Sequence, residues 1–143
     1  MFLSKKSIYA LRVLRHLSNA HGGKSLSASY LAEREQISLK YLEQILSDLR
    51  KSGFLVSERG KDGGYTLRIP PGEITLGQII RAIDGPLAPI PCASRTAPTK
   101  KCDCPNPMKT CWLREIMLRV RDNISEVIDN ETLLKISSSL KQE

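Results

Sequence analysis

Residues 37–53 read ISLKYLEQILSDLRKSG and are followed, at residues 59–65, by RGKDGGY. In the first stretch the apolar residues recur at the spacing of a helix that packs on one side. They are Leu39, Leu42, Ile45, Leu46 and Leu49. Ser38 is suited to cap the start of this helix, and Gly53 is suited to end it at the C′ position. The order of residues therefore predicts a one-sided helix followed by a glycine-rich loop.

The glycine-rich loop lies between two short segments with the character of β-strands, residues 54–59 and 65–69. Gly60, Gly63 and Gly64 are expected to supply the positive φ angles that a hairpin turn needs. A nucleotide-binding loop would instead run from a strand into a helix and end in Gly-Lys-Ser or Gly-Lys-Thr, which this loop does not do. We therefore predict a small β-hairpin.

Helices are predicted on both sides of this helix and hairpin. The first runs over residues 4–21, and a short second helix begins after Ser27. A fourth helix follows the hairpin over residues 76–84, with Thr75 as its cap. Helix, turn, helix and hairpin in this order make a winged helix-turn-helix. The predicted fold class is therefore mainly α with a small β-hairpin wing.

The chain beyond residue 85 has a different character. Six of the protein's eight prolines and three of its four cysteines fall in residues 86–110, which show no periodicity. A long helix is predicted over residues 111–130, and a weaker one over residues 132–140. The long helix carries an apolar stripe of Leu113, Ile116, Met117, Val120, Ile124, Val127 and Ile128. We interpret it as a dimerisation helix that lies antiparallel to that of a second copy.

We accordingly divide the chain into three parts. Residues 1–85 are the predicted DNA-binding winged helix-turn-helix, residues 86–110 a cysteine-bearing sensor loop, and residues 111–143 the dimerisation and C-terminal helices. The formal net charge is +7, with thirteen Lys and Arg against eight Asp and Glu through residue 85, and nine against seven beyond it. A basic surface attracts polyanions, of which nucleic acid is the first candidate and an acidic membrane the second.

The sequence favours a cytoplasmic protein without catalytic activity. No apolar run is long enough to cross a bilayer, and the first residues lack the apolar region of a signal peptide. His16 and His21 stand on the first helix without a partner motif, and no Ser/His/Asp or Cys/His constellation is found. We therefore expect no membrane partner and no enzyme.

The face of the third helix opposite its apolar stripe carries side chains that suit DNA. Gln44 can pair bidentately with adenine, and Glu43 can accept from cytosine N4. The lysines and the tyrosine of this face suit phosphates. In the wing, small residues let the backbone approach a duplex, and Arg59 can enter a narrow minor groove. The predicted contacts are Lys40, Tyr41, Glu43, Gln44 and Lys51 on the helix and Arg59, Gly60 and Lys61 on the wing.

The four cysteines lie within one short stretch, as Cys92-x9-Cys102-x-Cys104-x6-Cys111. The stretch lacks the Cys-x2-Cys knuckle that zinc fingers and ribbons use. Thiolates in an irregular, proline-rich loop suit an iron–sulfur cluster. Zinc, a thiol/disulfide switch between Cys102 and either Cys111 or Cys92, and unligated thiols are the alternatives that spacing leaves open.

Four stretches together resemble a known bacterial family: residues 37–53 and 59–65, IDG at 83–85 and CWLR at 111–114. They are similar to the Rrf-two superfamily of winged-helix regulators, which includes the regulators IscR, NsrR and CymR. The resemblance covers nearly the whole chain. It implies a homodimer on a palindromic operator in double-stranded DNA, with contacts from Ser38, Lys40, Tyr41, Glu43, Gln44 and Arg59. In many members three cysteines hold a two-iron or four-iron cluster, here Cys92, one of Cys102 and Cys104, and Cys111.

Two positions depart from the family pattern. Arg114 stands where some members have a histidine as fourth cluster ligand, and Ile8 stands where others have an acidic one. Our hypothesis is that the extra cysteine completes an all-cysteine cluster. The predicted function is a dimeric, sequence-specific DNA-binding regulator that senses iron–sulfur, redox or nitric oxide status. Alternatives are a cluster-free thiol-switch or effector-responsive regulator, and a metal or iron–sulfur carrier or small redox protein with a basic surface.

Overall fold

The computed structural model describes residues 3–96, 102–105 and 108–139. The helices are α1 (Lys5–Asn19), α2 (Ala28–Glu35), α3 (Leu39–Lys51), α4 (Leu76–Asp84), α5 (Trp112–Asn130) and α6 (Leu133–Ser139), and the strands are β1 (Leu55–Glu58) and β2 (Gly64–Leu67). Short 3-10 turns occur at Pro71–Glu73, Pro91–Ala93 and Met108–Thr110. Among these described helices, none combines the length and the apolar character that a membrane span requires.

The predicted fold class is confirmed, and the predicted caps account for where the helices start. Ser4, Ser27 and Ser38 each precede a helix, and each hydroxyl accepts a hydrogen bond from the backbone N–H three residues later, at 3.0, 3.1 and 3.3 Å. Thr75 starts α4 with a reciprocal capping box. Gly53 follows α3 with φ +84°, as the C′ position requires. Several predicted ends are one or two residues too generous, as in α1, which ends at Asn19. Leu140, the predicted end of α6, lies outside the described residues.

The hydrophobic core lies almost wholly in the N-terminal part. In the described part of the chain, the core cluster has sixteen buried residues; fifteen come from residues 10–79, and the sixteenth is Leu133 of α6. Helix α6 returns to pack on α1, where the Ser137 hydroxyl donates to that of Ser18 at 2.8 Å. The Leu133 amide also donates to the Ile74 carbonyl at 3.0 Å. The last helix therefore closes the core of the winged helix-turn-helix.

Strands β1 and β2 pair antiparallel, with Leu55 opposite Leu67 and Glu58 opposite Gly64. The prediction of positive φ for three wing glycines was wrong for two of them, since only Gly60 has it, at +116°. Gly63 and Gly64 instead allow other backbone segments to approach closely, because a Cβ at either position would collide with a neighbouring carbonyl group. A Cβ on Gly64 would collide with the Leu26 carbonyl, because Leu26 bridges to Tyr65 through backbone hydrogen bonds of 2.8 and 3.1 Å.

Helix α5 is long but packs on the rest of the described chain mainly at α4 and at the turn Pro91–Ala93. Ser125 is its one buried residue. At the crossing with α4, the Arg81 guanidinium donates to both carboxylate oxygens of Asp129, at 2.6 and 2.8 Å. Gly77 lies beneath this pair and lets the two helices approach. The apolar stripe of α5 is otherwise exposed or half-buried.

Candidate DNA interface and cysteine loop

Helix α3 gathers the predicted DNA-contacting residues on one side of the molecule. Leu42, Ile45, Leu46 and Leu49 are buried, but Leu39 is 44% exposed because it begins the helix at the edge of the core. Its outer face exposes Ser38, Lys40, Glu43, Gln44 and Lys51. A shallow depression of about 310 Å³ is lined by Ser38, Lys40, Tyr41 and Gln44.

Tyr41 is placed differently from its neighbours on α3. Its ring is half-buried and meets the ring of Tyr9 edge-on, with centroids 5.9 Å apart and an interplanar angle of 83°. The backbone N–H of Tyr41 donates to the Ser38 cap. The sequence indicated a freely exposed tyrosine, whereas the structure ties it to α1 and leaves one edge beside the depression.

A polar network on α3 was not predicted from the sequence. The Gln44 amide nitrogen donates to Asp48 Oδ1 at 3.2 Å, and Asp48 Oδ2 forms an ion pair with Lys6 of α1. The contact with Lys6 is the main cause that lowers the pKa of Asp48, and the hydrogen bond from Gln44 acts in the same direction. The helical spacing of four residues between Gln44 and Asp48 was a usable signal, but nothing in the sequence indicated Lys6.

The wing, residues 55–67, presents its predicted contacts at the tip. Arg59, Gly60 and Lys61 are all exposed. Beside them lies a cleft of about 300 Å³ lined by residues from the wing and from the start of α2, among them Lys24, Tyr30 and Lys61. The Ser25 hydroxyl joins the two sides of the cleft by donating to the Asp62 carbonyl at 3.0 Å. Lys24 and Tyr30 were missed because neither lies on the recognition helix or in the wing.

Two of the four cysteines lie buried at the start of α5. Cys111 immediately precedes the helix, and Cys92 lies in the turn Pro91–Ala93 that packs against it. Arg114 connects them, since its Nε donates to the Cys92 carbonyl at 2.9 Å. The backbone amide of Arg114 is the main cause that lowers the pKa of the Cys111 thiol, and the Cys104 side chain adds to it against the opposing effect of burial.

The other two cysteines are less buried. Cys102 is exposed, and its sulfur accepts a hydrogen bond of 3.4 Å from the backbone N–H of the half-buried Cys104. The predicted sensor loop also includes residues 97–101 and 106–107, which lie outside the described residues. Within the part of the chain that is described, no three Cys, His, Asp or Glu side chains are grouped closely enough to hold a metal ion.

A second arginine clamp holds the segment after Cys92. The Arg95 guanidinium donates to both carboxylate oxygens of Asp122 on α5, at 2.8 and 2.5 Å. Arg121 adds a third hydrogen bond of 2.8 Å to the same carboxylate. These contacts hold the pKa of Asp122 well below its usual range, with Arg95 the main cause. These hydrogen bonds add to the packing of the buried residues Cys92 and Ala93 in attaching the segment to α5.

Comparison with known proteins identifies the family to which this chain belongs. The chain matches the family model Rrf2, described as an iron-dependent transcriptional regulator, over residues 3–139. The chain belongs to the Rrf2 family. It is 36% identical over 138 residues to the transcriptional regulator CymR of Bacillus subtilis, which covers 96% of this chain and 91% of CymR.

Solved Rrf2 structures agree with the fold. CymR of B. subtilis, described as the global cysteine regulator of that organism, superposes with a TM-score of 0.81 at 34% identity over 99% of both chains. The oxidized form of Staphylococcus aureus CymR gives 0.77 at 30% identity, over 99% of this chain and all of that one. T. potens IscR gives 0.77 at 27% identity, over 99% of this chain and 89% of its own.

Membership of the Rrf2 family makes this protein a transcriptional regulator, and this implies DNA binding. The named relatives are regulators, so the prediction that the chain is not an enzyme is confirmed. His16, for which the sequence shows no partner motif, has a structural contact, because its Nε2 lies 2.6 Å from Glu35 Oε1. Arg12 Nε lies 2.5 Å from the other oxygen of Glu35. This cluster joins α1 to α2, whereas His21 lies beyond the end of α1.

Proposed function

We propose that this Rrf2 regulator binds a palindromic operator as a homodimer, reads it with α3 and the wing, and responds to a signal at its cysteines. The observation that carries the proposal is the outer face of α3. Gln44 and Glu43 point away from a core that buries the opposite face, and both have the chemistry of base readers. Ser38, Lys40, Tyr41, Lys51 and the wing residues Arg59, Gly60 and Lys61 are assigned to backbone and groove contacts.

Selection from a pool of duplexes with a randomised central segment tests the DNA-reading assignment. The wild-type protein is expected to enrich a palindrome. Gln44→Ala and Arg59→Ala should each weaken binding to it by about 5-fold to 150-fold, which corresponds to roughly 1–3 kcal/mol for one good contact. Arg68→Ala is the matched control, because Arg68 is exposed at the end of the hairpin opposite the tip. Equal binding of both variants to every duplex would contradict the assignment.

The exposed stripe of α5 supports the homodimer. Trp112 and Val127 are 65% and 64% exposed, and Leu113, Ile116 and Val120 are each exposed by more than a third. At about 100° per residue, these five side chains fall within roughly 100° of the helix circumference. An apolar stripe of this kind on a helix that packs weakly on its own chain suits a second copy of the same helix. Sedimentation should give a dimer at micromolar concentration, and a monomer there would contradict the proposal.

The thiols near the start of α5 have the donor chemistry of an iron–sulfur cluster, but in the described residues they are not grouped closely enough to hold a metal ion, so cluster binding would require the loop to draw them together. Cys92 and Cys111 are buried there, and Cys104 interacts with Cys111. We assign these three as ligands and Cys102 as the fourth. A bound cluster would supply a centre that responds to redox state and to iron–sulfur supply. Arg114 holds the Cys92 backbone against α5, and Arg95 fixes the segment that follows.

Anaerobic reconstitution with ferrous iron and sulfide tests the ligand assignment. The wild-type protein should gain iron, sulfide and visible absorption. Cys92→Ser and Cys111→Ser should abolish this gain, and Cys104→Ser should reduce it more than Cys102→Ser if the fourth position is the weaker one. A protein that stays colourless and free of iron would contradict the cluster assignment and leave DNA reading untouched.

A thiol switch is the second candidate, and the contact between Cys104 and Cys111 favours it. In this reaction the two thiols lose two protons and two electrons and form one S–S bond, while hydrogen peroxide takes them up and becomes two waters. Peptide mass spectrometry of peroxide-treated, iron-free protein should then find a Cys104–Cys111 disulfide. A disulfide between Cys102 and either Cys111 or Cys92, a pairing that spacing alone leaves open, is the competing outcome. Thiols that all stay reduced would exclude the switch.

A further inference from the structure

The carboxylate of Asp48 is shared between two side chains at the edge of α3. Its Oδ1 accepts a hydrogen bond of 3.2 Å from the Gln44 amide nitrogen, and its Oδ2 forms the ion pair with Lys6. Each oxygen therefore has its own partner. The side chains of Lys6 and Asp48 are about one third exposed, at 34% and 28%, so the network lies at the surface that would face DNA.

This sharing fixes the orientation of the Gln44 amide. An ionised carboxylate only accepts hydrogen bonds, so Gln44 must turn its NH₂ group, and not its carbonyl oxygen, toward Asp48. Lys6 favours that ionised form, and the pKa of Asp48 is correspondingly lowered. The amide nitrogen carries two N–H groups, and one of them is used by Asp48. The second N–H and the carbonyl oxygen stay available, and this pair is what adenine N7 and N6 require.

Lys6 is in turn placed by the start of its own helix. It follows the cap residue Ser4, whose backbone N–H donates to Asp84 Oδ2 at 3.0 Å. The Ser4 hydroxyl donates to the other oxygen of Asp84. The end of α4 therefore anchors the start of α1, and α1 presents Lys6 to α3. Lys6 also balances the negative charge of Asp48, which would otherwise repel DNA phosphates.

We propose that Asp48, held by Lys6, is a positioning residue for base recognition, and that it presents the Gln44 amide in the orientation that selects adenine. This inference rests on the proposed function, because it requires Gln44 to read a base. It adds two residues that the family resemblance does not supply, one of which lies on α1 and never touches a base.

The test starts from the duplex that the full-length wild-type protein enriches from the randomised pool. Each base pair of that duplex is then changed singly, and the position whose preference disappears in Gln44→Ala is taken as the one that Gln44 reads. Asp48→Ala should reduce the preference for adenine at this position by about 2-fold to 10-fold, which corresponds to the net contribution of one typical hydrogen bond. Preferences at the other positions should stay unchanged. Lys6→Ala should have the same effect to a smaller degree.

Two further variants separate positioning from charge. Asp48→Asn keeps the size of the side chain, but its amide can also turn an NH₂ group toward Gln44, so it no longer fixes the orientation and should lose the preference as Asp48→Ala does. Asp62→Ala removes an acidic side chain from the wing without touching Gln44, and it should raise affinity for all duplexes alike. In the Gln44→Ala background, Asp48→Ala should lower the affinity for the enriched duplex no further, because Asp48 acts through Gln44.

Each contrary outcome identifies what fails. If the wild-type protein enriches no sequence, the proposed function fails. If it does enrich one but Asp48→Ala weakens binding at every position equally, Asp48 is only structural and the inference is overturned. The inference is also overturned if Asp48→Ala lowers the affinity for the enriched duplex as much in the Gln44→Ala background as in the wild type, or if Gln44→Ala itself changes no preference.

Discussion

The part of the chain before Gly85 and the part after it are stabilised in different ways. Among the residues that the structure describes, the first part supplies fifteen of the sixteen in the core cluster, and a side-chain cap starts each of its four α-helices. The second part buries one residue of its long helix, and Cys111 precedes that helix without a side-chain cap. Its loop is attached by the arginine contacts of Arg95 and Arg114. The first part is thus packed within a single chain, with Leu133 of α6 closing its core, whereas the second part leaves an apolar face of α5 exposed.

This contrast has a functional consequence. Segments with few buried apolar contacts and many exposed polar ones open more readily than a packed core. A signal that acts at Cys92 or Cys111 would therefore change the less stable part first. Under the proposed function, such a change would reach the part assigned to DNA reading through the crossing of α4 and α5 at Arg81 and Asp129.

The largest expected difference in stability is between two variants that carry the same change, Leu to Ala, one in each part. Leu46→Ala removes a fully buried side chain of α3 and should lower the free energy of unfolding by about 2–5 kcal/mol. Leu113→Ala makes the same chemical change at a side chain of α5 that is 38% exposed, and should cost less than about 1 kcal/mol in the monomer.

Urea unfolding followed by circular dichroism, at a protein concentration low enough to keep the chains monomeric, measures both values. If Leu113→Ala destabilised the monomer as much as Leu46→Ala, α5 would be part of the single-chain core. The inference that the two parts are stabilised in different ways would then be wrong.

A charge on the exposed stripe of α5 should give the next largest effect. Val120→Glu would bury an unpaired carboxylate from each copy, so we expect the dimer dissociation constant to rise at least about 100-fold. Ser138→Glu adds the same charge to the exposed face of α6 and is the control. Sedimentation across a concentration series gives both constants. A Val120→Glu protein that dimerises like the wild type would move the interface elsewhere.

The first part was also the easier one to predict, for a physical reason. Caps and apolar spacing act between residues close in sequence, so Ser38, Thr75 and the core face of α3 could be identified without a structure. The crowding that Gly64 relieves comes from Leu26, which lies far away in sequence. The same holds for the ion pair that Lys6 makes with Asp48. Contacts of this kind leave no periodic signal.

The cysteine loop shows the same limit more strongly. Spacing alone left the partners of Cys111 open, because an irregular loop has no period from which neighbours follow. The structure brings Cys104 and Arg114 to it, and it places the Cys92 backbone against Arg114. In the sequence, Arg114 signals only that a histidine ligand is missing. Its actual contacts depend on how the loop folds back on α5.

A methyl group added beneath the wing tests how closely the first part is packed. Gly64→Ala would drive its Cβ into the backbone of Leu26, which cannot rotate away, and should cost about 1–3 kcal/mol. At Gly72 the nearest atom is a Leu134 side-chain carbon at 3.4 Å, so Gly72→Ala should change stability by less than about 0.5 kcal/mol. Thermal unfolding of both variants gives the comparison. Equal stabilities would mean that the hairpin shifts freely, and that the wing is not rigidly held.

The smallest expected effect is the acid sensitivity of the contact between the two parts. Arg81 is the main cause that lowers the pKa of Asp129 from its ordinary value of 3.8, so the folded state binds a proton there less readily than the unfolded state. The resulting stability is present above the unfolded pKa and is lost as the pH falls through the lower, folded value. Because Asp129 is 41% exposed, the contribution at neutral pH should be at most about 1 kcal/mol. We therefore expect the free energies of unfolding of wild type and Asp129→Asn, measured in urea on monomers, to differ at pH 7 and to converge as the pH drops well below about 4. Arg81→Lys should retain part of this stabilisation at neutral pH, because lysine keeps the positive charge. A gap between wild type and Asp129→Asn that stayed constant down to strongly acidic pH would show that the asparagine disturbs packing at Gly77, and that α4 and α5 are joined by shape more than by charge.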